Sequence, residues 1–166
     1  MSHTFAEAPD DLLTVAQLAE VSGFDFIDGM RTGRFAHPPI ARTLDYRLTD
    51  VAEGRVVFEG APPFAAYNPL GGAHGGWFGT LLDSCMACAV QTTLPRGTGY
   101  TTVEYKITIL RPAFTDTPSL RAIGTVVSSG RRVATATGEM VGEDGKVFAT
   151  GSTTCLVFAL QPSATP

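Results

Sequence analysis

Hydrophobic positions change their spacing twice along this chain. Leu12, Leu13, Val15, Ala16, Leu18 and Ala19 fall on one face of a short amphipathic helix that Gly23 stops, and Ser22-Gly23-Phe24-Asp25 has the form of a capping box opening a second short helix. After Pro38-Pro39 the period becomes that of strands. Thr43 to Thr49 alternates polar and apolar, Arg55 to Glu59 is β-branched and aromatic, and turn signals from Asp50 to Gly54 separate them. Four more strand-like runs follow: Tyr100 to Leu110, Ser119 to Ser128, Val133 to Val141 and Val147 to Phe158. Glu143-Asp144-Gly145-Lys146 is a hairpin turn between the last two.

Between the second and third strand runs lies a stretch of another kind. From Gly75 to Leu94 the chain reads GGWFGTLLDSCMACAVQTTL, with Asp83 as its only charge. Trp77, Phe78, Leu81, Leu82, Met86, Ala87, Ala89 and Val90 cover every face, so this helix has no polar stripe and must be wrapped by other structure. Its length would reach across a membrane, but Asp83, the Thr and Gln residues and the strand-rich remainder point to a helix enclosed by a sheet. A long apolar helix inserted into a run of antiparallel strands predicts an α+β fold whose sheet curls around the helix. The expected organisation is a helical N-terminal extension over residues 1–36, one domain over 37–160, and a tail at 161–166 that frays.

Composition fits one compact domain: 166 residues, 44% hydrophobic and 17% charged. The net charge of −4 resides wholly in the first 36 residues, where Glu7, Asp10, Asp11, Glu20, Asp25 and Asp28 face only Arg31 and Arg34. Two short helices and the phrase QLAEVSGF suggest a helix-turn-helix, but an acidic element of that size repels phosphates, so no nucleic-acid partner is expected. Packing over the core or at a subunit interface is the expected role instead. The acidic N-terminus without an apolar run predicts a cytoplasmic protein with no membrane association. Of three cysteines, Cys85 and Cys88 share the apolar helix, which favours reduced, packed thiols; neither His74 nor Cys155 completes a zinc spacing, so no metal is expected.

The candidate chemistry gathers at the start of that helix. An ionised carboxylate enclosed with it costs several kcal/mol unless paired or opened onto a wet site, which marks Asp83 as functional. Upstream, Tyr67-Asn68-Pro69-Leu70-Gly71-Gly72-Ala73-His74-Gly75-Gly76 strings four glycines around a histidine just before a helix N-terminus, where free N–H groups and the helix dipole favour negative charge. A carbonyl that becomes an oxyanion during acyl transfer is stabilised by such preorganised donors.

At these residues the chain resembles the hotdog-fold acyl-CoA thioesterases of the PaaI-like, 4-hydroxybenzoyl-CoA thioesterase type. The resemblance runs over about residues 40 to 158 and is carried by Asn68, His74-Gly75-Gly76, Asp83, the strand from Thr102 to Pro112 and the turn Ser129-Gly130-Arg131. The aromatic-thioesterase subtype has Glu at the Asp83 position and Gln at the Asn68 position, so the PaaI-like subtype is the closer match. The resemblance implies hydrolysis of an aromatic or medium-chain acyl-CoA, with coenzyme A as part of the substrate and no cofactor. It implies that the Gly75 N–H, helped by the Asn68 side chain, holds the thioester oxygen. Asp83 is then general base or nucleophile, Thr102 orients the water, and His74 is a structural member of the motif. Along a helix, Gly75 and Asp83 are about 12 Å apart, so one carbonyl cannot touch both, and Asp83 must come from a second copy. The resemblance likewise implies a homodimer with shared sites, often paired into tetramers. Gly76, Trp77, Phe78, Leu82 and Met86 are expected around the acyl group, and Arg111, Gly130, Arg131 and Arg132 around the coenzyme A phosphates. The alternatives are a hotdog-fold enoyl-CoA hydratase and a non-catalytic acyl-CoA sensor.

Overall fold

The apolar segment after His74 forms one helix, α4 (Gly75–Thr92, 18 residues), in a computed structural model that describes residues 4–161. Six strands surround it: β1 (Tyr46–Ala52), β2 (Arg55–Gly60), β3 (Thr98–Ile109), β4 (Leu120–Ser129), β5 (Val133–Val141) and β6 (Val147–Ala159). They form one sheet in the order β1-β2-β4-β5-β6-β3, each strand antiparallel to its neighbours. The sheet presents its inward residues, such as Ala134, Ala136 and Met140 of β5, to Phe78, Leu81, Leu82, Cys85 and Met86 of α4, all fully buried. This is the hotdog arrangement, an α+β fold with a curled sheet around one long helix.

Three glycines line up across the sheet beneath α4, and two of them, Gly124 and Gly138, set how close helix and sheet come. Gly124 of β4, Gly138 of β5 and Gly151 of β6 are paired in register, forming a row across the sheet beneath α4. A Cβ at Gly124 would lie 2.2 Å from the Cys85 carbonyl oxygen, and one at Gly138 would lie 2.8 Å from Met86 Cγ. Helix backbone therefore rests on sheet backbone at β4, and the side chains of Leu82 and Met86 fill the space over β5.

Ahead of the sheet lie α1 (Val15–Ala19), α2 (Gly23–Thr32) and α3 (Pro39–Thr43). Ser22 caps α2: its Oγ accepts from Asp25 N–H at 3.1 Å and donates to Asp25 Oδ2 at 2.6 Å. Gly23 does not stop α1; it opens α2, and its lack of a side chain lets α2 abut α4, where a Cβ would lie 1.7 Å from the Gln91 carbonyl oxygen. Its N–H donates to Leu94 O at 3.0 Å, and Gly97 N–H donates to Ala19 O at 2.9 Å. Ile27 and Met30 of α2 join the same core as α4, and Ala6 N–H bonds His37 O across residue 36, so the described part of the extension and the sheet form one packed body. The expected strand from Thr43 to Thr49 begins only at Tyr46. Pro39, at the first position of α3, is preset for a helix, and five residues are too few for helical periodicity to register. The frayed tail expected at Gln161 to Pro166 lies, from residue 162, outside the described residues.

β3 is a sheet edge, bonded only to β6 over its 12 residues, with a bulge between Thr102 and Glu104 that leaves Val103 unpaired. No helix among the described residues is long and apolar enough to cross a membrane.

Gly124→Ala should destabilise the fold by ~3 kcal/mol or more, because its obstacle is helix backbone rather than a yielding side chain. Urea unfolding followed by circular dichroism checks this; an unchanged midpoint would mean that α4 rides higher on the sheet.

Candidate active site

The glycine-rich loop before α4 is built by two polar side chains. Asn68 Oδ1 accepts from Leu70 N–H at 2.8 Å and from Gly72 N–H at 3.4 Å, while its Nδ2 donates to Ala73 O at 3.3 Å. The Asn68 carboxamide thus shapes the turn that delivers His74, and this task inside the loop uses one of its two Nδ2 hydrogens. His74 is the N-cap of α4, its Nδ1 accepting from Gly76 N–H at 2.9 Å, and Trp77 N–H bonds His74 O at 2.9 Å. Gly76, expected at the acyl group, therefore has its N–H occupied. The N–H of Gly75 has no acceptor among the described residues and stands at the positive end of an 18-residue helix.

Two turns along, and contrary to the expectation of a helix without a polar stripe, Asp83 lies with Thr80 and Ser84 in a narrow one, since positions 80, 83 and 84 fall on one helical face. Thr102 of β3 donates to Asp83 Oδ1 at 3.0 Å, leaving Oδ2 without a partner among the described residues. Burial raises the Asp83 pKa above the ordinary aspartate value, and the Thr102 hydrogen bond opposes that rise only in part. Around the carboxylate stand Tyr46, sharing a 3.1 Å hydrogen bond with Ser84, and Tyr100, bonded to Cys88. Burial holds the Cys85, Cys88 and Tyr100 pKa values up, so these groups stay neutral, and the three cysteines are free. Tyr100 was not singled out from the sequence, although it stands two residues before Thr102 and so on the same strand face. Asp83 and Thr102 also line an open cleft of about 440 Å³ with Leu18, Phe26, Gln91 and Tyr100.

Other expected site residues lie elsewhere. Trp77, Phe78, Leu82 and Met86 are at most 2% exposed within the chain's own core, and Trp77 Nε1 donates to Leu44 O at 3.0 Å. Leu82 and Met86 lie over Gly138 of β5, and all four are enclosed within the chain's own core; a helix apolar on nearly every side gives no clue to which side the sheet takes. Arg111 donates to Val147 O beyond the end of β3, near the Gly75 end of α4, where Ile109 lies beside Gly75. Gly130, Arg131 and Arg132 form the exposed β4–β5 turn at the opposite end, where Ser129 Oγ and Thr93 Oγ1 meet at 2.8 Å. The two arginine groups are thus separated by the length of α4, about 27 Å for 18 residues, too far to hold the same phosphate from one chain. No group of three or more His, Cys, Asp or Glu among the described residues is placed to hold a metal ion.

This architecture recurs in solved structures. A putative thioesterase, a phenylacetic acid degradation-related protein from Ralstonia eutropha, is 31% identical, with a TM-score of 0.71 over 79% of this chain and 98% of that one. The sequence pattern of the Thioesterase superfamily matches residues 70–149, the span from the glycine-rich loop into β6. The chain belongs to the thioesterase superfamily. As a member it is a thioester hydrolase. A thioesterase family protein from Silicibacter pomeroyi is similar at 26% identity, with a TM-score of 0.70 over 80% of this chain and 98% of its own. A variant of the phenylacetic acid degradation protein PaaI from Thermus thermophilus is similar at 29% identity, with a TM-score of 0.64 over 71% of this chain and 97% of its own. No curated protein matches the chain significantly in sequence.

Because the folded state raises the Asp83 pKa, its ionisation favours the unfolded chain. Its stabilising share is fully present below the ordinary value of 3.8 and is lost as pH rises through the folded value. Asp83→Asn should therefore melt above the wild type at pH 7, with the gap closing on acidification. A Tm series from pH 7 to 3.5 tests this, and a mutant that melts lower at pH 7 would show the charge to be well accommodated.

Proposed function

We propose that the protein hydrolyses the thioester of an aromatic or medium-chain acyl-CoA to the free acid and coenzyme A, as a cytoplasmic homodimer whose sites each use Gly75 of one protomer and Asp83 of the other. The observation that carries this reading is the pairing of a helix-terminal N–H at Gly75 with a half-buried carboxylate at Asp83, where neither that N–H nor Asp83 Oδ2 has a partner among the described residues. The two lie about 12 Å apart along one helix, so they meet on one carbonyl only across two chains. The open edge of β3 suits a twofold partner, since an unpaired strand edge carries backbone donors and acceptors that a second copy can satisfy. Pairing of dimers into tetramers extends the same reading.

In the chemistry, the thioester oxygen accepts from Gly75 N–H. The partner's carboxylate, made more basic by burial, takes a proton from water as the hydroxyl adds to the carbonyl carbon. Collapse of the tetrahedral adduct breaks the C–S bond, and the coenzyme A sulfur leaves with the proton that the carboxylate held. In the nucleophilic version, Oδ2 adds to the carbon, the thiolate leaves, and water then opens the mixed anhydride. Both versions use only water and the thioester, and Thr102 fixes the carboxylate in either. Hydration of an enoyl group draws less support, because the His74 Nδ1 lone pair already accepts from Gly76 N–H in capping α4. A non-catalytic sensor would gain nothing from a half-buried carboxylate.

Asp83→Asn should bind acyl-CoA yet lose at least ~100-fold in kcat. Gly75→Pro is the complementary change: proline suits the first helical position, His74 already has the extended backbone that precedes proline (φ −64°, ψ 144°), and only the N–H is lost. It should cost about 10²–10³ in kcat. Mixed and exchanged, the two inactive variants should recover about a quarter of wild-type sites, since half the dimers are hybrids with one intact site. Verified hybrids as inactive as their parents would refute the shared site.

Alanine at Arg111 or Arg131 should raise KM for acyl-CoA more than for a truncated thioester that lacks the nucleotide. Equal losses on both substrates would assign those arginines to structure.

A further inference from the structure

Beside the Asp83 cleft lies a second, larger cavity of about 460 Å³, roofed by the N-terminal segment. Four residues line both: Leu18 of α1, Phe26 of α2, Gln91 of α4 and Tyr100 of β3. The cleft that holds the carboxylate therefore adjoins the cavity within one and the same chain. Beyond the shared residues the cavity runs between Leu13, Ile27 and Phe35, which offer only hydrocarbon. Its two charged lining residues are exposed and already engaged: Asp11 accepts from the N–H groups of Glu7 and Ala8 at 2.8 and 3.0 Å, and Arg34 lies over the Phe35 ring at 4.8 Å.

Resting on the thioesterase reading above, we propose that this cavity is the acyl-chain site, that its occupant is the uncharged hydrocarbon part of the acyl group, and that it belongs to the protomer supplying Asp83. A thioester carbonyl held at Asp83 has two arms. The sulfur arm leads to a polar, anionic coenzyme, for which an apolar cavity has nothing to offer. The carbon arm is the one that gains by leaving water, at about fourfold in binding for each methylene buried. The volume lies within the range of about 300–1,000 Å³ common for small-molecule sites. The proposal also gives the N-terminal segment its task. The Ralstonia eutropha structure matches over 98% of its own length but only 79% of this chain, and the remainder, about a fifth, is the size of the segment up to Ala36. Leu18 and Phe26 of that segment are half-buried walls, which makes them determinants of chain length.

The test is the kcat/KM of acetyl-, hexanoyl- and decanoyl-CoA with wild type, Leu18→Trp and Phe26→Ala. The indole at position 18 should lower the decanoyl-to-acetyl ratio at least tenfold. Opening the wall at position 26 should move the preference toward longer or bulkier acyl groups. If Leu18→Trp fails to fold, the direction of the Phe26→Ala shift decides alone. A wild type that turns over acyl-CoA while both folded variants keep its ratio would overturn the pocket and leave the thioesterase reading standing. A wild type with no turnover on any acyl-CoA would overturn that reading instead, and the cavity is then judged by equilibrium binding of decanoate: binding that Leu18→Trp abolishes upholds it, and no binding refutes it. Placement in the Asp83 protomer is tested in the hybrid of Gly75→Pro with Asp83→Asn. Leu18→Trp should alter selectivity when carried on the Gly75→Pro chain, which supplies the working Asp83. Altered selectivity from the other chain would place the acyl group in the wrong protomer.

Discussion

The closeness of α4 to the sheet is the constraint from which the rest follows. A helix apolar on nearly every face can be buried only if something covers each side, and Gly124 lets the sheet come to backbone distance at β4 while Gly138 leaves room for Leu82 and Met86 over β5. Gly23 does the same for the N-terminal segment, whose α2 meets the last turn of α4 without an intervening side chain. Between these two covers remains the narrow stripe of Thr80, Asp83 and Ser84. The polar side chains of the helix middle are confined to that stripe because the residues on its other faces are buried in the core.

Confinement sets the character of the carboxylate. Partial burial disfavours its charge, and one hydroxyl, from Thr102, offsets that only in part. The same environment that makes Asp83 a burden on the fold makes it a better proton acceptor, so stability and reactivity are opposed at one atom pair. His74 and Asn68 show the reverse arrangement. Their side chains are engaged in forming the turn and capping the helix, and what remains is the Gly75 N–H, which has no acceptor among the described residues.

Much of this was legible in the chain. β5 has a period of two along one face, and the turn at Gly145 requires a left-handed residue (φ 75°), so both leave local marks. Asp83 was legible because a lone charge in an apolar run is a local anomaly. Which side of α4 faces the sheet was not, since Trp77, Phe78, Leu82 and Met86 are alike in being apolar and fully buried. The glycine row was hidden for another reason: Gly124, Gly138 and Gly151 are far apart in sequence, and only strand register brings them into line. Gly23 misled because a glycine that ends a helix and one that lets two helices touch are written alike. The cavity between α1, α2 and Tyr100 depends on contacts between segments some eighty residues apart, for which no single stretch carries a signal.

The position of β3 at the rim of the sheet bears on how the molecule comes into being. β3 follows α4 directly, yet its only neighbour is β6, whose residues 147–159 emerge from the ribosome some forty residues later. Until then β3 has nothing to pair with, and the hydroxyl of Thr102 has no fixed relation to Asp83. Closure of that long loop is a slow, non-local event. A nascent chain can therefore hold both Asp83 and Thr102 and still lack the hydrogen bond between them, which forms with completion of the sheet rather than with synthesis of the two residues.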